Sequence, residues 1–274
     1  MTDAARVEGP TTVLDPSIVA ALAPLVAEPR ATAVLTDFDG TLAPIVADPA
    51  TVRPLPGAAE TLARLVRSFG LVAVVSGRPV AFLVDRLGPA AGAVSLVGLY
   101  GLERRVGGAV AVLPDAEPWR RVVAGVVGRL ERTVPAGVWV EPKGLTVTVH
   151  WRAAPDRAPE AESLVAAEVA TTGLLPHPGR MSVELRPPID VDKGSAVTGL
   201  AEGFRSACFL GDDLGDLPAF AALDRLSSEG VATVAVAAVD GESSPEVAAA
   251  ADLVVDGPGG ALAVLRWLAD AADA

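Results

Sequence analysis

The stretch AVLTDFDGTLAPI (Ala33–Ile45) ends an apolar run with two carboxylates, those of Asp37 and Asp39. Its first residues have the composition of a strand that is buried on both faces of a sheet. Because side chains alternate along an extended backbone, two aspartates spaced by two positions project to the same side. In open parallel sheets ligands bind at the carboxyl ends of the strands, so this stretch predicts a functional site.

Similar apolar, valine-rich runs recur along the chain and alternate with helical stretches. This alternation is typical of a parallel sheet that is covered by helices on both faces. The sequence therefore predicts an α/β protein with a Rossmann-like parallel sheet core. The predicted strands are TAVLTDF, GLVAVVSG, AVSLVGLYG, ACFLGDD, ATVAVAAVD and ADLVVDG, and the helices between them include PGAAETLARLVRSF and PVAFLVDRLG.

The pattern changes between Pro114 and Pro187, where two helical segments alternate with two hairpins. Parallel-strand signals return after Pro187, so the middle segment is predicted to be a smaller α+β domain inserted into the core. At the amino terminus, the first dozen residues have a disordered composition, and a Pro-started helix follows Asp15. The predicted domains are an N-terminal extension with a short helix (1–28), a core (29–113 and 188–274) and the inserted α+β domain (114–187).

Composition and charge indicate a small-molecule partner. The 274-residue chain carries a formal net charge of −12, which repels nucleic acid and anionic membrane surfaces. The single cysteine, Cys208, lies in an apolar run, so it is predicted to be a core residue and no disulfide framework forms. Neither a signal-peptide pattern nor a run long enough to span a bilayer is present, so the predicted location is the cytoplasm.

The two aspartates suit a two-step displacement at phosphorus. A carboxylate at a strand end can attack phosphorus and form an acyl phosphate, which makes Asp37 the candidate nucleophile. Asp39 could then protonate the leaving oxygen and later activate water. Gly40 would allow a sharp turn that Thr41 could hold. The alternative is a solvated loop whose aspartates cap a helix.

Two further segments offer groups for binding phosphate. In VVSGRP, the hydroxyl of Ser76 and backbone amides such as that of Gly77 could receive a phosphate at the start of a helix. In DVDKGSAV, Lys193 opens a helix, a position that disfavours a cation unless it offsets nearby anions. The alternatives are an ordinary serine N-cap and a solvated surface lysine.

The segment CFLGDDLGDLPAF repeats the logic of the opening stretch, because a buried strand runs into Asp212, Asp213 and Asp216. Several carboxylates around one phosphate repel it and each other unless a divalent cation is present. Hard oxygen ligands beside a phosphate favour Mg²⁺. The alternative is an acidic surface loop.

Taken in order, DFDGT, VSGR, DKG and GDD resemble the four motifs of the haloacid dehalogenase-like superfamily of phosphotransferases. An α+β insert between the second and third motifs is similar to the cap domain of its sugar-phosphatase branch. LYGLE, EPKGLTVTVHWR, VELRPP and the DKG that follows resemble the trehalose-6-phosphate phosphatase family within that branch. The resemblance runs from about Ala31 to Phe220.

The resemblance implies a role for each matching residue. Asp37 is implied to be the nucleophile and Asp39 the general acid and base, with Ser76 and Lys193 binding the phosphate. The implied magnesium ligands are Asp37, Asp39 through its backbone carbonyl, Asp212 and, less directly, Asp213. The family commonly continues this motif as Gly-Asp-Asp-x-Thr-Asp-Glu, whereas Gly215 and Leu217 stand here in place of the Thr and the Glu.

The predicted cap domain offers charged residues for a sugar. The chain contains no Asn or Gln, so charged side chains and backbone groups must meet the hydroxyls of a sugar. A polar outer face with weak ion pairs is the alternative. Trp119, Trp139 and Trp151 are predicted to be cap core, and His177 to lie in a turn. The candidate sugar contacts are Glu141, Lys143, His150, Arg152, Glu184 and Arg186.

These segments predict a magnesium-dependent phosphatase, and the resemblance implies that it cleaves trehalose 6-phosphate to trehalose and phosphate, the final step of trehalose biosynthesis. A trehalose-6-phosphate synthase is the predicted pathway partner. Alternatives are another sugar-phosphate phosphatase, a phosphomutase, or a sensor that binds a phosphosugar without catalysis. The pair of Asp37 and Asp39 argues against the sensor, because a binding protein needs neither a nucleophile nor an acid.

Overall fold

The computed structural model of the protein describes residues 14–46, 48–179, 181–241 and 243–273. The predicted disorder of the first dozen residues concerns residues 1–13, which lie outside the described residues. So does residue 180, in the turn of the second predicted hairpin. Within the described ranges, no helix combines the length and the apolar character needed to cross a membrane.

The described strands form one eight-stranded sheet and one four-stranded sheet. The order of the larger sheet is β12-β11-β10-β1-β2-β3-β4-β5, and its strands run parallel from β12 to β3. This parallel sheet confirms the predicted α/β class. Its strands are β1 (Thr32–Thr36), β2 (Leu71–Val75), β3 (Ser95–Gly98), β4 (Glu103–Val106), β5 (Ala109–Val112), β10 (Ser206–Gly211), β11 (Ala232–Val239) and β12 (Leu253–Asp256).

The hairpin β4–β5 was not among the predicted strands. It pairs antiparallel at the edge of the sheet, and the residues of β5 are mostly exposed. The signals in the sequence were the pair Gly107-Gly108, which suits a two-residue hairpin turn, and the apolar run Ala109–Leu113 that follows it.

Helices cover both faces of the larger sheet because its strands bury side chains on both sides. In β1, Val34 packs in the cluster with α1, α2, α3 and α9, whereas Leu35 packs in the cluster with α6, α7 and α8. The helices of the core are α1 (Pro16–Ala27), α2 (Ala58–Ser68), α3 (Val80–Leu87), α6 (Lys193–Ala201), α7 (Leu217–Ser228), α8 (Pro245–Ala249) and α9 (Gly257–Asp273).

The helix of the predicted N-terminal extension packs as part of the core. Asp15 caps α1 by accepting from the backbone N–H of Ser17, and Pro16 begins the helix. Leu22 and Leu25 are fully buried in the cluster shared with α2 and α9. The helix therefore contributes to the hydrophobic core of the larger sheet.

The four-stranded sheet and two helices form the segment predicted as the cap domain. The sheet is antiparallel in the order β6-β7-β9-β8, and both helices share a core cluster with it. Neighbouring core elements end at Val112 and begin again at Lys193, while the predicted boundaries at 113/114 and 187/188 stay predictions. The elements are α4 (Trp119–Thr133), β6 (Trp139–Pro142), β7 (Val147–His150), α5 (Ala158–Thr172), β8 (Leu175–Gly179) and β9 (Ser182–Arg186).

Replacing Leu25 by Ala tests whether α1 is part of the core. We expect Leu25→Ala to lower the free energy of unfolding by about 2–5 kcal/mol, because it removes buried methyl groups from a packed cluster. Urea unfolding measures the loss. Val254→Ala is the control, because Val254 is 51% exposed. It should lower the free energy of unfolding by no more than about 0.5 kcal/mol. An equally small loss for Leu25→Ala would contradict the packing of α1.

Candidate active site

The turn after β1 brings Asp37 against the loop after β10. The backbone N–H of Asp37 donates to the carbonyl of Leu210 at 2.8 Å, which continues the parallel pairing of β1 and β10. Gly40 has φ of +76°, and a Cβ at this position would overlap the carboxylate of Asp212. Gly40 is therefore needed both for the turn and for the close approach of Asp212.

Lys193 is buried between two carboxylates. Its Nζ lies 2.9 Å from Asp37 Oδ1 and donates to Asp216 Oδ1 at 2.6 Å. Burial alone lowers the pKa of Lys193, but the attraction of Asp216 and Asp37 outweighs it and holds the pKa well above its usual value. Asp192 caps α6, so the lysine is positioned by the first turn of a well-formed helix.

Asp216 and Asp213 have different roles in the loop after β10. Asp216 is fully buried, and its Oδ2 accepts from the backbone N–H groups of Asp212 and Asp213 at 2.9 and 3.2 Å. Asp213 is exposed and accepts from the N–H of Gly215 at 2.9 Å, which caps the short turn that follows. Asp216, rather than Asp213, therefore faces the buried cluster.

The buried carboxylates fit a hard divalent cation. One oxygen from each of Asp37, Asp212 and Asp216 lies within 4.8 Å of the others. Among the described residues, Asp37 Oδ1 finds no partner in hydrogen-bond geometry, although Lys193 is close enough for an ion pair. Burial and the repulsion of Asp37 and Asp216 raise the pKa of Asp212 to about 9. A divalent cation bound among these carboxylates would offset their repulsion. Carboxylate oxygens are ligands that Mg²⁺ and Ca²⁺ prefer.

Ser76 lies at the carboxyl end of β2, beside β1. It is buried, and its hydroxyl oxygen accepts from the N–H of Arg78 at 3.2 Å. A Cβ on Gly77 would clash with the phenol of Tyr100, so only glycine fits between these two loops. The Ser76 hydroxyl hydrogen and the nearby amides remain suited to a phosphate oxygen.

Arg78 is a site residue that the sequence prediction missed. Its Nε and Nη2 donate to the two oxygens of Asp39 at 2.8 Å each. Its Nη1 donates to Glu141 Oε1 in the cap at 3.2 Å. Its position directly after Ser76 and Gly77 was a signal in the sequence that Arg78 belongs to the site. Its contact with Glu141 has no such signal, because Glu141 is distant in sequence.

Glu184 is the centre of the charged network in the cap. It is 5% exposed and accepts from Lys143, from the hydroxyl of Thr146 and from Arg186. Burial raises the pKa of Glu184, but Lys143 and Arg186 together lower it below its usual value. The carboxylate is therefore ionised and fixed in place.

Glu141 joins the same network from β6. Its Oε2 lies 3.0 Å from His150 Nε2 and 3.7 Å from Lys143 Nζ. Burial raises the pKa of Glu141, but the hydrogen bond from His150 and the charges of Lys143 and Arg78 lower it overall. The ring of Trp139 stacks on His150 at 4.9 Å, and Trp139 is 42% exposed. Trp139 thus lies at the surface, whereas Trp151 is buried in the cap core as predicted.

A cavity of about 1170 Å³ lies between the core and the cap. Arg186 and Tyr100 both line it, and the guanidinium carbon of Arg186 lies 3.4 Å from the centre of the Tyr100 ring. His177 lies in β8 and lines the cavity, although the sequence predicted only a turn there. Several candidate residues line the cavity together: Lys143, His150, Arg152, Glu184, Arg186, Lys193, Asp212 and Asp213.

The structure brings some of the candidates from the core into one cluster and most of those from the cap into another. Asp37, Lys193 and Asp212 meet at the end of β1, whereas Asp39 points to Arg78 and Asp213 points to its own turn. Such an arrangement can attack phosphorus with one carboxylate and move a proton with a second. Cys208 is a buried core residue, as expected from its apolar neighbours.

Comparison with known proteins gives a consistent result. A family model described as Trehalose-phosphatase matches residues 35–255. A trehalose-phosphate phosphatase from Mycobacterium avium (strain 104) is 36% identical over 214 residues, covering 74% of this chain and 54% of that protein. A probable trehalose-phosphate phosphatase from Sinorhizobium fredii (strain NBRC 101917 / NGR234) is 32% identical over 203 residues, covering 71% of this chain and 74% of that one. The chain therefore spans about half the length of the Mycobacterium relative.

A solved structure shares the fold. The C-terminal domain of trehalose-6-phosphate phosphatase from C. albicans superposes with a TM-score of 0.74 at 24% identity, covering 92% of this chain and 97% of that chain. At this identity the likeness shows the fold, a parallel core with an inserted cap. It does not show the roles of the site residues.

Cation binding to the carboxylate cluster can be tested by thermal unfolding. We expect Mg²⁺ to raise the melting temperature by on the order of 5 °C at a hundredfold excess over Kd. Asp212→Asn should remove this rise. In EDTA, at a pH above about 9 where Asp212 is ionised, the same variant should melt higher than the wild type, because it removes one of the three carboxylates that repel each other.

Asp213→Asn is the matched control, because Asp213 is the neighbouring carboxylate but caps the turn. We expect it to keep most of the rise with Mg²⁺. Loss of the rise in Asp213→Asn, with retention in Asp212→Asn, would contradict the cluster described above.

Proposed function

The chain belongs to the trehalose-phosphatase family, and from this membership and the site geometry we propose that it hydrolyses trehalose 6-phosphate to trehalose and phosphate. The observation that carries the proposal is the separation of two aspartates with different surroundings. Asp37 is buried beside Lys193, whereas the side chain of Asp39 is 30% exposed and paired with Arg78. Two carboxylates in different environments suit two different tasks.

In the first step, an oxygen of Asp37 attacks phosphorus in line with the leaving sugar oxygen. A bond forms between Asp37 and phosphorus while the bond from phosphorus to the sugar oxygen breaks. The proton of the Asp39 carboxyl passes to the leaving oxygen, so trehalose departs as a neutral alcohol. Lys193 stabilises negative charge on the phosphoryl oxygens, and Ser76 and the backbone of Gly77 donate to them.

In the second step, water attacks the phosphoaspartate. Asp39, now a carboxylate, takes a proton from the water as its oxygen bonds to phosphorus and the bond to Asp37 breaks. This restores Asp37 and Asp39 and releases inorganic phosphate. The same residue serves as acid and then as base, which requires that its carboxyl group reach both oxygens.

Mg²⁺ is the proposed cofactor. Asp37 and Asp212 would hold it with the backbone carbonyl of Asp39, and the buried position of Asp216 favours that residue over Asp213 for the remaining carboxylate of the cluster. Bound there, the ion supplies positive charge beside the phosphoryl group, which the three carboxylates would otherwise repel.

The cap is proposed to bind the sugar. The hydroxyls of the sugar can donate to Glu141 and Glu184 and accept from Lys143. The ion pairs among these three side chains hold them in place for such contacts. His150, Arg152 and Arg186 extend the same surface. A trehalose-6-phosphate synthase is the proposed pathway partner, because an enzyme of that kind makes the substrate, and the cytoplasm is the proposed location.

Phosphate release with Mg²⁺ tests the nucleophile. We expect Asp37→Asn to lower turnover of trehalose 6-phosphate by about a thousandfold or more, because an amide cannot form the acyl phosphate. Asp156→Asn changes an aspartate whose side chain is 81% exposed and should keep wild-type turnover. Equal turnover by wild type and Asp37→Asn would refute the assignment. Glucose 6-phosphate and sucrose 6-phosphate in the same assay separate this activity from that of another sugar-phosphate phosphatase.

The cap residues can be tested with two buried glutamates. Glu184→Gln should lower kcat/KM for trehalose 6-phosphate by about tenfold or more, since it removes a charged hydrogen-bond acceptor from the cavity. Glu168 is the matched control, because it is also buried in the cap but pairs with Arg129 between α4 and α5. Glu168→Gln should keep wild-type kcat/KM. Equal losses in the two variants would indicate a structural role for Glu184.

A further inference from the structure

The guanidinium of Arg78 is shared between the core and the cap. Two of its nitrogens donate to both oxygens of Asp39, and the third donates to Glu141 of β6. Arg78 is 9% exposed, and its guanidinium carbon lies 4.6 Å from the centre of the Phe82 ring. A planar guanidinium enclosed in this way cannot change its contact with one partner without changing its contact with the other, so its bonds to Asp39 and Glu141 depend on each other.

This arrangement is a resting one. Asp39 and Arg78 line a second cavity of about 260 Å³, whereas Lys193 and Asp212 line the larger cavity. Both oxygens of Asp39 accept from Arg78, so the pair holds the carboxylate at the second cavity. To reach a leaving oxygen beside Lys193, the carboxyl group must turn away from Arg78 and give up at least one of these two bonds.

We propose that Arg78 is a positioning residue that makes proton transfer by Asp39 depend on Glu141, and so on a sugar in the cap. The inference rests on the proposed function. When a sugar hydroxyl binds Glu141, the guanidinium turns towards the cap, keeps one bond to Asp39 and frees the other oxygen. The freed oxygen takes up a proton from solvent and gives it to the sugar oxygen as the bond from phosphorus to that oxygen breaks and the bond from Asp37 to phosphorus forms.

The specificity of the enzyme follows from this coupling. A phosphate ester without a sugar leaves Glu141 unengaged, and Asp39 then keeps both bonds to Arg78. Esters whose leaving group needs a proton are disfavoured unless they fill the cap. Esters whose leaving group departs without a proton escape this control, which provides the experimental contrast.

The experiment compares kcat/KM for trehalose 6-phosphate and for p-nitrophenyl phosphate, because p-nitrophenolate leaves without a proton. Arg78→Lys keeps the charge, but one ammonium group cannot bind both Asp39 oxygens and Glu141. We expect this variant to lower kcat/KM for trehalose 6-phosphate by about tenfold or more, and for p-nitrophenyl phosphate by less than about threefold. Turnover of the aryl ester also shows that the variant folds.

Arg86→Lys is the matched control, because the Arg86 guanidinium lies 4.5 Å from the centre of the same Phe82 ring and bonds to Asp85 and the carbonyl of Ala50. It should leave both substrates unchanged. Equal losses for both substrates in Arg78→Lys would overturn the proposal, because they would indicate a grip on the phosphoryl group or a structural role. A loss below about threefold on trehalose 6-phosphate would overturn it as well.

A double-mutant cycle tests the dependence on Glu141. We expect the losses of Arg78→Lys and Glu141→Gln on trehalose 6-phosphate to be non-additive, the double variant losing at least about fivefold less than the product of the single losses. On p-nitrophenyl phosphate the cycle should show no coupling. Additive losses on trehalose 6-phosphate would overturn the coupling.

Failure of the proposed function gives a different result. A wild type that hydrolyses p-nitrophenyl phosphate and another sugar phosphate, but not trehalose 6-phosphate, refutes the assigned substrate. The same contrast between the alkyl and aryl esters then tests Arg78 on that other sugar phosphate.

Discussion

The site depends on the ion pairs that the buried ammonium group of Lys193 forms with two carboxylates. This lysine lies between Asp37, at the end of β1, and Asp216, in the loop after β10, and it opens α6. Burying these charges is costly unless they are paired, so the three elements are held together by the need to neutralise one another. One ammonium cannot balance three carboxylates, because Asp212 also lies in the cluster. The cluster therefore carries a surplus of carboxylates, which the proposed Mg²⁺ would offset.

In this chain without Asn or Gln, the polar network of the cap consists largely of charged pairs. In the cap, Glu184 accepts from Lys143 and Arg186, and across the boundary Arg78 donates to Glu141. Such pairs fix side chains more firmly than single polar contacts, because each partner has a strong preference for the other. They also make single substitutions costly, since removal of one partner leaves the other buried without its counter-charge.

Much of the core could be predicted from the sequence because strand ends carry their own signal. Apolar runs that end in Asp37 or Asp212 show both the strand and the edge of the sheet where these residues meet. Other features depend on distant contacts. Asp216 turns inwards because its carboxylate accepts from the N–H of Asp212, a contact that composition does not reveal. The link from Arg78 to Glu141 spans 63 positions, so no local pattern indicates it.

Two arginines cross the boundary between core and cap in opposite directions. Arg78 reaches from the core to Glu141, and Arg186 reaches from the cap to the ring of Tyr100. Leu99 and Tyr100 adopt positive φ values of 50° and 61°, a conformation that costs about 1–3 kcal/mol for a residue with a side chain. The N–H groups of Leu99 and Tyr100 donate to the carbonyls of Arg78 and Ser76, which holds this turn against the loop after β2. The strained turn therefore positions Tyr100 under Arg186 and at the same time supports the backbone from which Arg78 reaches Asp39, so both cross-boundary contacts depend on one local structure.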